Sequence, residues 1–141
     1  LQDNGIIIDS LEQICGGLNS QTFCITIKGI KRVLKSYPNN DILNRDRLGN
    51  ELKFLQFLQT HNIKNIPSPI LWDKNKNWMI LSWLEGQSIK DIKSNHVKLL
   101  VEFILKIESL KYKKDAKKLN DASEAFFDIN SHINCIKKRL C

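Results

Sequence analysis

No apolar run in the 141 residues approaches the roughly 20 needed to cross a bilayer; the longest, such as Ile6–Ile8 and Trp78–Leu81, end after three or four. A membrane-spanning helix is therefore excluded. The start carries neither the basic residues nor the apolar segment of a secretory signal, and it opens on Leu1 rather than Met, which points to an excised or incomplete chain. Six Gly and three Pro are too few for collagen-like or low-complexity chains, and 42% hydrophobic with 26% charged residues is the balance of a globular protein. Cys15, Cys24, Cys135 and Cys141 show no C-x-x-C spacing, which argues against a zinc site or a disulfide framework and for reduced thiols in a cytoplasmic protein. Also missing are the G-x-x-x-x-G-K-[ST] phosphate loop, G-x-G-x-x-G, H-E-x-x-H and G-x-S-x-G. These absences remove the commonest nucleotide-loop, zinc-protease and esterase classes.

What is present fits one ordinary domain or two very small ones. The net charge is +7, and its excess lies in residues 95–141, where 10 basic side chains face 6 acidic ones. Lys111, Lys113, Lys114, Lys117 and Lys118 supply half of the ten. Such a run is expected to be a solvated, mobile connector, and the alternative is an anion-binding patch.

Hydrophobic periodicity divides the chain. Leu11–Ile14, Thr22–Ile27 and Ile30–Leu34 are short, β-branched-rich segments parted by turn residues, Gly16-Gly17 with Asn19 and Ser20 first and Lys28-Gly29 second. Pro38, Asn39 and Asn40 close the third strand. Leu48, Leu52, Leu55 and Leu58 then recur at helical spacing, which predicts a helix from Asp46 to Gln59. Pro67 and Pro69 lead into an extended Ile70–Trp72, and the polar turn Lys74–Asn77 joins it to Trp78–Leu81 as a second hairpin. Ser88 with Asp91 has the spacing of a capped short helix after Gly86. From Asn95 the pattern is helical only. Val97, Leu100, Val101, Ile104 and Ile107 line one face, and a second helix is expected from Asp121, capped with Glu124, through Ala125, Phe126, Ile129, Ile133, Ile136 and Leu140. The fold class is therefore α+β, with a boundary near Gly86–Asn95.

Among side chains able to do chemistry, Lys35 shares the face of Val33 at the end of the third strand. Glu51 lies three residues after Leu48 and four before Leu55, so its carboxylate falls on the apolar face of the helix and needs a partner. Lys35 is the plainest one; the alternative is a surface lysine and a helix-edge glutamate that never meet. Trp72, Trp78 and Trp83 lie on or beside the second hairpin and are expected to pack rather than stack on a ligand.

Strand, Gly-containing turn, strand, strand ending in Lys, helix bearing Glu, two strands and a Gly-terminated linker is the order of a kinase small lobe. The stretches Gly16-Gly17-Leu18-Asn19-Ser20-Gln21-Thr22-Phe23, Val33-Leu34-Lys35, Leu48-Gly49-Asn50-Glu51-Leu52, Ile66-Pro67-Ser68-Pro69 and Met79-Ile80-Leu81-Ser82-Trp83-Leu84-Glu85-Gly86 resemble the aminoglycoside phosphotransferase and choline kinase superfamily over roughly residues 10–92. The resemblance implies a nucleotide-binding small lobe over residues 1–86, an antiparallel five-stranded sheet with one helix, and over 87–141 a linker with the first helices of a truncated helical lobe. It implies ATP as cofactor, held by a turn of Gly16, Gly17, Asn19 and Ser20 over the phosphates, by Lys35 on the α- and β-phosphates, and by Glu51 steadying Lys35. Val33 and Leu81 would wall the adenine slot, and main-chain groups of Ser82 and Leu84 would read its edge.

The family follows its linker with a His-x-Asp motif, an Asn and a metal-binding Asp. Here His61, His96 and His132 are followed two positions on by Ile63, Lys98 and Asn134. The resemblance thus implies a fragment that is inactive alone, with magnesium ligands expected beyond Cys141. In the full-length protein the acceptor would be a small-molecule alcohol or amino alcohol, and aminoglycoside, choline, homoserine and thiosugar all remain open. Self-association through exposed helices is expected. The competing reading is a basic nucleic-acid-binding or protein-interaction module without catalysis, motivated by the lysine run.

Overall fold

The computed structural model describes residues 5–16, 20–39, 45–87, 89–120 and 128–140, of which 15, 16 and 138–140 are described by main chain alone. Five strands, β1 (Ser10–Gly16), β2 (Gln21–Ile27), β3 (Ile30–Ser36), β4 (Pro69–Asp73) and β5 (Trp78–Ser82), form one antiparallel sheet in the order β1-β2-β3-β5-β4. Helix α1 (Arg47–Thr60) connects β3 to β4; α2 (Ser94–Glu108) and α3 (Ile129–Leu140) follow the sheet. The architecture is α+β, as the periodicities predict.

Local chemistry sets these elements. Lys28 and Gly29 both take positive φ, 50° and 73°, the backbone of a two-residue turn whose twist matches its strands, so β2 and β3 pair from Ile27↔Ile30 outward. Asp46 caps α1, its carboxylate accepting the Gly49 N–H at 2.7 Å, which satisfies a donor that the helix itself leaves open. Helix and sheet then meet on one face: Leu48, Leu52 and Leu55 of α1 pack on Tyr37, Met79 and Leu81, with Val33 beside them. Strand alternation sends Ile25, Leu34, Trp78 and Ile80 to the opposite face, where Ile6 and Ile8 help cover them. Trp78 is thus a core residue, whereas Trp72, expected to pack, is 38% exposed on edge strand β4.

The second half departs from expectation in three places, at residues 89–93, in the lysine-rich stretch and at the start of α3, while the exposure of the α2 stripe agrees with the expected exposed helices. Residues 89–93 are not helical; Ser88 lies outside the described residues. The helix starts at Ser94 instead, and the Lys93 N–H donates to Nδ1 of His96 at 3.2 Å, a side-chain acceptor that Asp91 is placed too early to supply. The stripe of Val97, Leu100, Val101 and Ile104 is 46–58% exposed, so within the described residues nothing covers it. Phe103 and Ile107 make the packing, against Phe57, Leu58, Ile63 and Leu110.

The lysine-rich stretch is a pair of 3₁₀ turns, Ser109–Tyr112 and Lys114–Lys118, rather than a loose connector. Its lysines are exposed, but Leu110 is buried, and Ala116 and Leu119 pack on the end of α1. Two polar clips add to this: Asn120 Nδ2 donates to Asn50 Oδ1 at 2.6 Å, and His61 Nε2 lies 2.9 Å from Asp115 Oδ2. Desolvation pushes the Asp115 carboxyl up, yet the His61 and backbone hydrogen bonds, with the charges of His61 and Lys118, hold it below the usual aspartate range. Helix α3 follows Asp128, whose carboxylate accepts the N–H and hydroxyl of Ser131 at 2.8 and 2.6 Å. Asp128 is itself outside the helix, so α3 does not run continuously from Asp121. Asp121, Glu124, Ala125 and Phe126 lie outside the described residues.

Candidate functional site

Lys35 and Glu51 meet, as their phases predict. The Lys35 ammonium donates to both Glu51 oxygens at 2.7 Å, which is the short, charge-assisted geometry of a strong pair. The alternative, in which the two never meet, is set aside. A third group joins them: Tyr37 donates its hydroxyl to Glu51 Oε2 at 2.9 Å, and Lys35 Nζ lies 5.5 Å from the Tyr37 ring centre. The cause is alternation, since Val33, Lys35 and Tyr37 occupy successive same-face positions and α1 crosses that face with Glu51 between Leu48 and Leu55. Burial raises the Tyr37 phenol far above its ordinary pKa, and the charge and hydrogen bond of Glu51 push the same way. Tyr37 is therefore a hydrogen-bond donor at any working pH.

These charges line an open groove of about 380 Å³. Of the ten residues expected to bind the cofactor, Val33, Lys35, Glu51, Leu81, Ser82 and Leu84 all line it. Pairing register explains how: Val33↔Leu81 makes its floor, and Arg32↔Ser82 fixes one end. At the other end Thr22↔Lys35 sets the start of β2 beside Lys35, and Gly16↔Gln21 pairs the end of β1 with it; neither Gly16 nor Ser20 is among the described residues that line the groove. Ser20, half-buried, is the described residue of the β1–β2 connection; Gly17 and Asn19 lie outside the described residues. From Arg32 to Lys35 is three strand residues, roughly 10 Å. One end of the groove thus carries the Lys35–Glu51 ion pair, and the other is lined by the β5 exit.

At the β5 exit, the Ser82 N–H donates to the Ser68 carbonyl at 2.9 Å, and the Ser68 N–H donates to Ser82 Oγ at 2.8 Å. The serine hydroxyl thereby replaces the main-chain acceptor, which keeps the Ser82 carbonyl out of that ladder bond. Leu84 lies past the ladder and is exposed. Ile14, Thr22, Pro67 and Trp83 complete the lining. Ile14, Thr22 and Pro67 had no expected role in a site, although strand phase places Ile14 and Thr22 on this face. Trp83 was expected only to pack; its ring carries Lys31 Nζ at 5.6 Å.

Among the described residues no group of three or more His, Cys, Asp or Glu could hold a metal ion, and no helix is long and apolar enough to cross a membrane. The chain matches no protein-family model, and no curated protein is detectably similar to it.

Proposed function

We propose that this chain is a nucleotide-binding unit of the kinase small-lobe type, with ATP as the ligand its groove suits. The observation that supports the reading most is one wall carrying a tethered ammonium, with apolar floor residues and a β-strand exit on the same groove. Lys35 offsets phosphate charge, and Glu51 holds it extended across the groove. Val33 and Leu81 present aliphatic surface to a flat base. The Ser82 carbonyl and the Leu84 N–H supply the acceptor and donor that an adenine edge needs. When bound, the nucleotide would contribute a transferable phosphoryl group. In a complete protein of this type the acceptor is a small-molecule hydroxyl.

Transfer itself needs a base to orient the attacking hydroxyl and acids to hold magnesium. No His-x-Asp segment occurs among these residues. The chain alone is therefore expected to bind ATP without turnover. Labelled ATP incubated with magnesium and a panel of amino alcohols and aminoglycosides should remain intact; turnover abolished by Lys35→Ala would show instead that catalytic groups lie within this chain.

Main-chain recognition at the β5 exit separates two substitutions at one position. Leu84→Ala removes packing at a side chain already 46% exposed, so ATP affinity should fall by less than about threefold. Leu84→Pro removes the N–H and should weaken binding by about tenfold or more. Calorimetric titration of both, at matched folded content, checks this; equal losses contradict the assignment of the Leu84 N–H.

A further inference from the structure

We infer that Tyr37 is the positioning residue of the groove: its hydroxyl fixes the Glu51 carboxylate, and through it the Lys35 ammonium and the first turns of α1, before any ligand arrives. The inference rests on the nucleotide reading for its functional consequence, but its geometry stands in the free chain. Glu51 has two oxygens. Lys35 bonds both, at 2.7 Å each, and Tyr37 adds a second donor to Oε2 at 2.9 Å.

A long lysine and a glutamate that are 21% and 30% exposed could hold this contact in several rotamers, because each carries considerable side-chain freedom. Tyr37 has little of it. The residue is only 5% exposed and belongs to the core cluster of Leu48, Leu52, Leu55, Met79 and Leu81, and its N–H donates to the Asn77 carbonyl at 2.9 Å. A donor anchored at both its main chain and its ring defines where Oε2 must be. The same ring presents its face toward Lys35 Nζ, which favours the cation on that side.

Among the described residues that line the groove, only Lys35 brings a cation to Glu51. Ile14 of β1, Pro67 and Leu81 of β5 bring no charge to the groove, and Thr22 and Ser82 bring only neutral hydroxyls. On its own helix Arg47 lies one turn earlier. Burial keeps the Tyr37 phenol protonated, so its hydroxyl remains a donor to Glu51. The groove is therefore preorganised, and a ligand that meets Lys35 does not have to order it.

The test is a double-mutant cycle with Tyr37→Phe and Glu51→Ala, because Phe keeps the packed ring and removes only the hydroxyl. Two readouts are taken: the ATP dissociation constant, and, without nucleotide, the rate at which a small acylating reagent modifies Lys35, followed by mass spectrometry. Tyr37→Phe is expected to weaken ATP binding about fivefold and to speed Lys35 acylation about threefold. In the Glu51→Ala background both effects should fall below about twofold, since Tyr37 then has no carboxylate to hold. Full-sized effects that persist without Glu51 would mark Tyr37 as a packing residue only and overturn the inference, as would unchanged acylation in Tyr37→Phe. Acylation that responds as expected while ATP fails to bind even the unmodified chain would uphold the brace and reject the nucleotide reading.

Discussion

Glu51→Ala should destabilise the chain by about 2–3 kcal/mol, and replacing both partners, Lys35→Met with Glu51→Leu, should restore most of that loss. A buried pair broken on one side typically costs about 3–5 kcal/mol, because the remaining charge stays without its counterion. Here the pair keeps 21% and 30% of its side-chain surface in contact with solvent, which lowers the figure. The single variant strands two groups, the Lys35 ammonium and the Tyr37 hydroxyl, whereas the double variant strands only the hydroxyl. Urea unfolding checks this from the midpoint shift at constant slope. A double variant as unstable as Glu51→Ala would mean that the wall needs the charges for its own packing.

Met79→Ala should cost about 2–5 kcal/mol, a large part of the 5–15 typical of a domain. Met79 is fully buried on a strand with neighbours on both sides, is cross-strand partner to Lys35, and supports α1 from below. Leu100→Ala on α2 is the control: the side chain is 58% exposed, and its loss should change stability by less than about 0.5 kcal/mol while reducing self-association. Thermal unfolding and light scattering on the pair distinguish core from uncovered surface. A large stability loss in Leu100→Ala would mean that the α2 stripe is buried in solution.

The contrast between these two residues also shows where sequence was informative. In β3 and α1 the apolar period, the turn chemistry and the inward charges agree, so strand and helix phase together bring Lys35 to Glu51, whereas Val33 beside Leu81 was implied by the resemblance alone. Tyr37 escaped because a tyrosine just past a strand end, before Pro38, gives no periodic signal of burial; only the Tyr37–Asn77 main-chain bond extends the pairing to it. Beyond the sheet the signals compete. Val97, Leu100, Val101 and Ile104 form a regular stripe, but α2 is rotated so that Phe103 and Ile107 meet α1. Periodicity predicts that a face is apolar, not which neighbour covers it. The lysine run misleads for a related reason: charge density suggests a solvated strap, while Leu110 and Leu119, which flank the lysines, and Ala116 among them anchor it.

Titrating ATP into the isotopically labelled chain while following amide and lysine NMR signals reads whether a nucleotide lies along the Val33–Lys35 wall. Saturable shifts concentrated at Val33, Lys35 and Leu81–Leu84 are expected, with affinity reduced about 10- to 100-fold in Lys35→Met. No saturable shift along the groove, or shifts confined to Lys111–Lys118 that collapse as salt is raised, would contradict the nucleotide reading and favour a basic surface that binds polyanions.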